Sequence, residues 1–262
     1  MGNLQTSSMP TLHEFLQARQ LDNNDWAFTV PAELHGAFGG AFGGVVASCT
    51  LVAARAAAPD RTPNALDIRF LRGLSAGDAV TTTTVLRAGR SLTNVAVDLR
   101  DPSGRLCARS TISLVDAAVL HPFEETQATP RGWDDYEGAS SFPAVAPIVS
   151  VIGPRFVGRS GADIATAIRV PWDDAGHSAE AACMAGDMAV GAPLGGTAPR
   201  GVGTPNPDIS LRFCGEVATP VVTGIGRWER SANGVAMVSV EVWSDDALVA
   251  IGVSTALLLP TP

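Results

Sequence analysis

The chain has 262 residues, 46% apolar and 17% charged, and a formal net charge of -8. This composition supplies a sizeable core and excludes a disordered chain. All 18 basic residues are arginine, which excludes lysine Schiff-base chemistry and argues against a diffuse basic face for nucleic acid. Cys49, Cys107, Cys183 and Cys214 form no CxxC pair, so the spacing encodes neither a zinc site nor a disulfide framework, and buried, reduced thiols in a cytoplasmic protein are expected. No stretch reaches the roughly 18 uncharged apolar residues of a membrane span. The N-terminus lacks signal-peptide regions, although Met1-Gly2-Asn3-Leu4-Gln5-Thr6 matches the short, frequent myristoylation pattern.

After an N-terminal segment, 1–24, the first unit is expected over 25–116. It opens with a short strand ending at Pro31. The glycine-rich run Phe38 to Gly44 then leads into a helix from about Gly43 to Ala58. That helix is rich in alanine and valine and has no charge before Arg55, so it should be buried on nearly every face. Strands follow at about Ala65 to Arg72, Ala79 to Ala88, Thr93 to Arg100 and Leu106 to Val115, with turns at Gly89-Arg90 and Asp101-Pro102-Ser103-Gly104. A stretch rich in proline, glycine and acid, 117–159, reads as a linker draped over the sheet, with Phe123-Glu124-Glu125 and Trp133-Asp134-Asp135-Tyr136 as solvated charge. The second unit, 160–262, repeats the order of the first.

The repeat shows in four matches. Phe28-Thr29-Val30-Pro31 pairs with Ile168-Arg169-Val170-Pro171, and Leu66-Asp67-Ile68-Arg69-Phe70 with Ile209-Ser210-Leu211-Arg212-Phe213. Val97-Asp98-Leu99 pairs with Val240-Glu241-Val242, and Leu106-Cys107-Ala108 with Leu248-Val249-Ala250. Matches in one order at one approximate offset indicate a duplication. Each unit is a long helix followed by antiparallel strands, so the expected fold is α+β, a tandem hotdog with each sheet wrapped around one central helix.

The pattern resembles the double-hotdog acyl-CoA thioesterases of the type II medium-chain kind and the wider thioesterase-like group. The resemblance runs from about Trp26 to Leu259. It rests on Phe42-Gly43-Gly44, Ile68-Arg69-Phe70-Leu71-Arg72, Arg87-Ala88-Gly89-Arg90-Ser91 and Ala185-Gly186-Asp187. It implies a cytoplasmic hydrolase of fatty acid metabolism with an acyl-CoA substrate, no cofactor, and no nucleic-acid or membrane partner. Arginine's planar fork would suit the CoA phosphates, though compositional bias explains the missing lysine as well. Further self-association into a homo-oligomer is permitted but not encoded. The family's catalytic aspartate falls on Asp187. Its threonine falls on Asn206 and its glutamine on Ser254, two departures that leave hydrogen-bonding groups of different reach. Thr204 offers a hydroxyl nearby.

Asp187 also stands out on its own, as a carboxylate among small apolar residues from Ala181 to Val190. Lost hydration would raise its pKa and make it a better base. The alternative is that it caps a helix locally. Gly43, Gly44 and Val45 begin the first helix, where free N–H groups could hold a thioester carbonyl as charge develops on its oxygen; a close helix–sheet approach explains the glycines equally well. His35 and His177 read as loop residues, and Trp228, Trp243 and Phe213 as core. The Gly-x-Ser-x-Gly elbow is absent, and Ser160 does not rebuild it. A hotdog hydratase or dehydratase would pair an aspartate with a histidine, but Asp174 and His177 precede the helix. A catalytically silent acyl-binding protein is the reading from outside enzymology.

Overall fold

The computed structural model describes residues 9–21, 25–121, 128–130, 132, 137–141, 144–173, 175–197 and 201–260, and of 141 and 194–197 the backbone alone. The myristoylation-like Met1–Thr6, the acidic runs 123–125 and 133–136, and Asp174 lie outside the described residues.

The first half contains α1 (Leu12–Phe15), β1 (Arg19–Gln20), β2 (Trp26–Val30), α2 (Gly43–Ala57), β3 (Thr62–Phe70), β4 (Gly77–Ala88), β5 (Leu92–Arg100) and β6 (Leu106–Val115). The second contains β7 (Ser140–Ser141), α3 (Val149–Ile152), β8 (Arg155–Ser160), β9 (Asp163–Arg169), α4 (Ser178–Thr197), β10 (Val202–Gly203), β11 (Asp208–Phe213), β12 (Val221–Ala232), β13 (Val235–Ser244), β14 (Ala247–Leu257) and β15 (Leu259–Pro260). One 13-stranded sheet runs β1-β2-β4-β5-β6-β3-β11-β14-β13-β12-β9-β8-β7, and β10 pairs with β15 apart from it. Each half is a hotdog, with antiparallel strands against one long helix.

The seam is the repeated motif pairing with its own copy. Across β3 and β11, Ile68 faces Ile209 and Leu66 faces Leu211, all four buried. Alternation places the polar partners on the other side. There Arg69 binds Asp208, and Arg212 reaches Asp67 at 3.2 Å. The two sheets thus join as one, with apolar contacts on one face and ion pairs on the other.

The strand expected from about Ala65 to Arg72 is β3, which ends at Phe70. The N–H groups of Leu71 and Arg72 both donate to the Cys107 carbonyl, at 2.8 and 3.1 Å, a bulge-like placing of two residues against one that breaks the regular ladder here. In the stretch 117–159, β7 and β8 extend the sheet beside β9, and α3 packs near the loop that follows β2. The brevity of these elements, and Pro154 and Gly161 flanking β8, hide them from a periodicity reading.

The two long helices meet directly. All residues of α2 from Gly44 to Ala54 are buried. A Cβ on Gly44 would stand 2.7 Å from the Met184 Cα of α4, so glycine sets the spacing here. Further along α2, Arg55 donates from Nε to Glu180 of α4 at 2.8 Å and from Nη2 at 3.2 Å, and His177 lies 3.6 Å from the same carboxylate. Glu180 is fully buried. Burial works to raise its pKa, but His177 and Arg55 together outweigh it and hold the carboxyl below its ordinary value.

Removing Arg55 would leave a buried charge uncompensated, so Arg55→Met is expected to cost about 3–5 kcal/mol in denaturant unfolding, most of it recovered by adding Glu180→Met. With its folded pKa lowered, the Glu180 contribution is complete above the unfolded carboxyl pKa and disappears as pH falls through the folded one.

Candidate active site

Asp187 sits midway along α4, only 7% exposed, and points at the start of α2. Gly44 N–H donates to its Oδ2 at 3.0 Å. Asn206, in the loop before β11, donates from Nδ2 to its Oδ1 at 2.8 Å. Phe42 precedes α2 and gives that helix no side-chain cap. The carboxylate from the other half takes that place, at the positive end of the helix dipole. Asp187 therefore is a capping residue, but of the partner module's helix rather than its own.

The glycine pair makes this contact sterically permissible. A Cβ at Gly43 would lie 2.7 Å from Asp187 Oδ1, closer than side chains tolerate. Burial is the strongest influence on Asp187 and raises its pKa; hydrogen bonds from Asn206, Gly44 and Gly43 pull it down, and the net direction is up. Three donors leave part of the carboxylate's lone-pair capacity unused, since two ionised oxygens offer about four acceptor sites.

A pocket of about 490 Å³ opens over this carboxylate, lined mostly by apolar groups including Phe42, Val46, Met188 and Leu257, with Asn206 and Thr204 among the polar ones. Of the sequence candidates, Asp187, Asn206, Thr204 and Gly43 meet at the pocket. Ser254 does not. It is buried in β14, donating to the Asp208 carbonyl at 2.6 Å, and the same strand presents Leu257 to the pocket instead. The expected carbonyl-binding role of Gly43, Gly44 and Val45 is also corrected. Gly44 N–H is committed to Asp187, Gly43 N–H also acts on that carboxylate, and Val45 N–H donates to Phe42 at 3.0 Å.

Sequence reasoning missed the apolar walls from Met188 and Leu257, and the contribution of Val145, Ala146, Ile148 and Val149 from the stretch between the units. An amphipathic pattern was available at none of these. Cys107 also lines the pocket, its thiol pushed up chiefly by burial. All four cysteines are free, but Cys214 is exposed, against the expectation of buried thiols; it follows Phe213, where the strand ends and leaves the core. Trp243 is buried, and Trp228 and Phe213 pack against the core. Among the described residues no group of three or more His, Cys, Asp or Glu side chains is placed to hold a metal ion, and no helix is long and apolar enough to cross a membrane.

Residues 32–115 match the family described as acyl-CoA thioesterase N-terminal domain. The first half of the chain is thus similar to an acyl-CoA thioesterase domain. Its fold over nearly the whole length is that of solved hotdog proteins. The acyl-CoA thioesterase II TesB2 of Mycobacterium marinum is 18% identical, with 95% of this chain and 98% of that one covered and a TM-score of 0.74. A proposed thioesterase from Novosphingobium aromaticivorans is 24% identical, covering 91% and 97%, with a TM-score of 0.76. A hotdog protein of unknown function from Alicyclobacillus acidocaldarius is 20% identical, covering 94% and 97%, at 0.73. No curated protein matches the sequence.

A carboxyl with a raised folded pKa binds protons more readily folded than unfolded, so it subtracts from stability once pH exceeds the unfolded value, and fully so above the folded one. Asp187→Asn is therefore expected to raise the thermal midpoint at pH 7 and to lose that advantage towards pH 3. Gly43→Ala is expected to displace the carboxylate and cut any Asp187-dependent turnover by more than about tenfold, the effect of a reacting group held out of place; circular dichroism would establish that the variant is folded.

Proposed function

We infer that the protein is an acyl-CoA thioesterase in which Asp187 activates the hydrolytic water. The observation that carries this reading is the buried Asp187 carboxylate, fixed by Gly44 N–H and Asn206, facing a largely apolar pocket.

A water hydrogen-bonded to Asp187 would lose its proton to that carboxylate as its oxygen attacks the thioester carbonyl carbon. Asn206 Nδ2 has two hydrogens and gives one to Asp187, so the second is available to the carbonyl oxygen as charge gathers there. Collapse of the tetrahedral adduct breaks the C–S bond, and the proton on Asp187 passes to the departing sulfur. Free acid and CoA thiol result, and the carboxylate is restored. A thiolate leaves readily, so one base, one carbonyl donor and a positioned water suffice. The raised pKa supports the role, because a base whose proton affinity approaches the working pH is more effective than an ordinary aspartate.

One observation favours a second reading, a silent acyl-binding protein: Ser254 is turned away and Leu257 is apolar, so the polar set around Asp187 is small. Nothing on the pocket favours a hydratase, since no histidine lines it among the described residues.

Release of CoA thiol from a panel of acyl-CoAs of increasing chain length separates these readings. The thioesterase reading predicts turnover that Asp187→Asn lowers by about 10²–10⁴-fold in kcat, and a kcat/KM that rises with pH through a pKa above the ordinary aspartate value. Binding without release of thiol supports the silent protein.

A further inference from the structure

The pocket is graded from end to end. Its deep part holds Asp187 and the buried Val46 and Val190, whereas Phe38, Leu71 and Val145 line it while remaining 58%, 50% and 59% exposed. Exposed large apolar groups gathered at an opening mark a place where a ligand passes. Beside Leu71 at this mouth stands Arg72, the one basic side chain on the pocket among the described residues.

Arg72 is held and yet uncommitted. Its Nη1 donates to the Leu106 carbonyl at 2.9 Å, and its own N–H is anchored on Cys107, so the guanidinium has a defined position. No carboxylate pairs with it among the described residues. Asp101, an acid that also acts on Cys107, already accepts from Arg105 at 2.9 Å through Nε and is 2.8 Å from its Nη2. Arg72, Arg105 and Asp101 all act on Cys107, so two cations stand against one carboxylate around that residue of the pocket wall. On a chain of net charge -8, a fixed local cation surplus at a pocket mouth is a selective feature.

We propose that Arg72 is the recognition residue for a phosphate on the carrier portion of the substrate. The proposal rests on the thioesterase reading above for which end of the ligand faces outward: with the thioester at Asp187, the acyl group fills the apolar interior and the carrier leaves past Phe38, Leu71 and Val145. The carrier's first strongly charged group then meets the guanidinium, whose planar fork matches phosphate oxygens. The task of Arg72 is binding and specificity, with no part in the proton transfer.

The test measures CoA affinity by calorimetry for the wild-type protein, Arg72→Ala and Arg72→Gln, alongside turnover of one acyl group carried on CoA and on N-acetylcysteamine, which has no phosphate. Loss of a charged hydrogen bond predicts about tenfold weaker CoA binding and a matching rise in KM for acyl-CoA. The kcat and the N-acetylcysteamine thioester kinetics should stay within about twofold. Arg72→Lys should fall between, and added salt should weaken wild-type binding more than Arg72→Ala binding. Dephospho-CoA and 4'-phosphopantetheine then identify which phosphate is held. Unchanged CoA affinity in both neutral variants overturns the proposal. So does an equal loss with the phosphate-free thioester, or a loss confined to thioesters whose acyl group ends in a carboxylate. Arg72-dependent CoA binding without turnover would uphold this site while removing the hydrolytic reading, and turnover indifferent to Arg72 would do the reverse.

Discussion

The contact between the Asp187 carboxylate and the first turn of α2 organises the molecule. An unpartnered carboxylate in an apolar helix would neutralise or exclude itself from the core, and here it is retained because the other half presents backbone N–H groups to it. That presentation requires Gly43 and Gly44, since a Cβ on the first would meet the acid and on the second would meet the backbone of α4. Helix spacing, the depth of the pocket and the orientation of the acid therefore share one cause. Asn206 completes the arrangement from outside the helices, binding the remaining carboxylate oxygen.

Duplication explains why this is possible in a single chain, and divergence explains why the result is asymmetric. At the sheet seam the copies still match, with Ile68 on Ile209 and Leu66 on Leu211. In the helices they no longer do: one copy supplies glycines and a positive helix end, the other a carboxylate. The buried Arg55–Glu180 pair is a second cross-half contact between the same helices. It locks the register that the Gly44–Met184 approach permits, so the acid cannot slide along α2.

Much of this was legible in the chain itself. The bounds of α2 and of β4, β5 and β6 follow from alternating or continuous apolar runs punctuated by Gly89 and by the Asp101–Gly104 turn, because such local signals are what periodicity records. Asp187 was visible because a charge among small apolar residues demands an explanation. Three things were not visible. The donors at Gly44 and Val45 looked free in sequence, since nothing local shows that Asp187 and Phe42 consume them. Ser254 and Leu257 lie three places apart in one strand and so on opposite faces, and short-motif matching has no access to which face reaches the pocket. The wall from 145–149 was hidden because irregular segments carry no period to read.

The most direct test of the central claim is a crystal structure with an acyl-CoA analogue whose thioester is replaced by an inert ketone. The account predicts the ketone carbonyl beside Asn206, with a water within about 3 Å of Asp187 and facing the carbonyl carbon. An analogue seated elsewhere, or a ketone that leaves no room for water beside an unchanged Asp187, would contradict it.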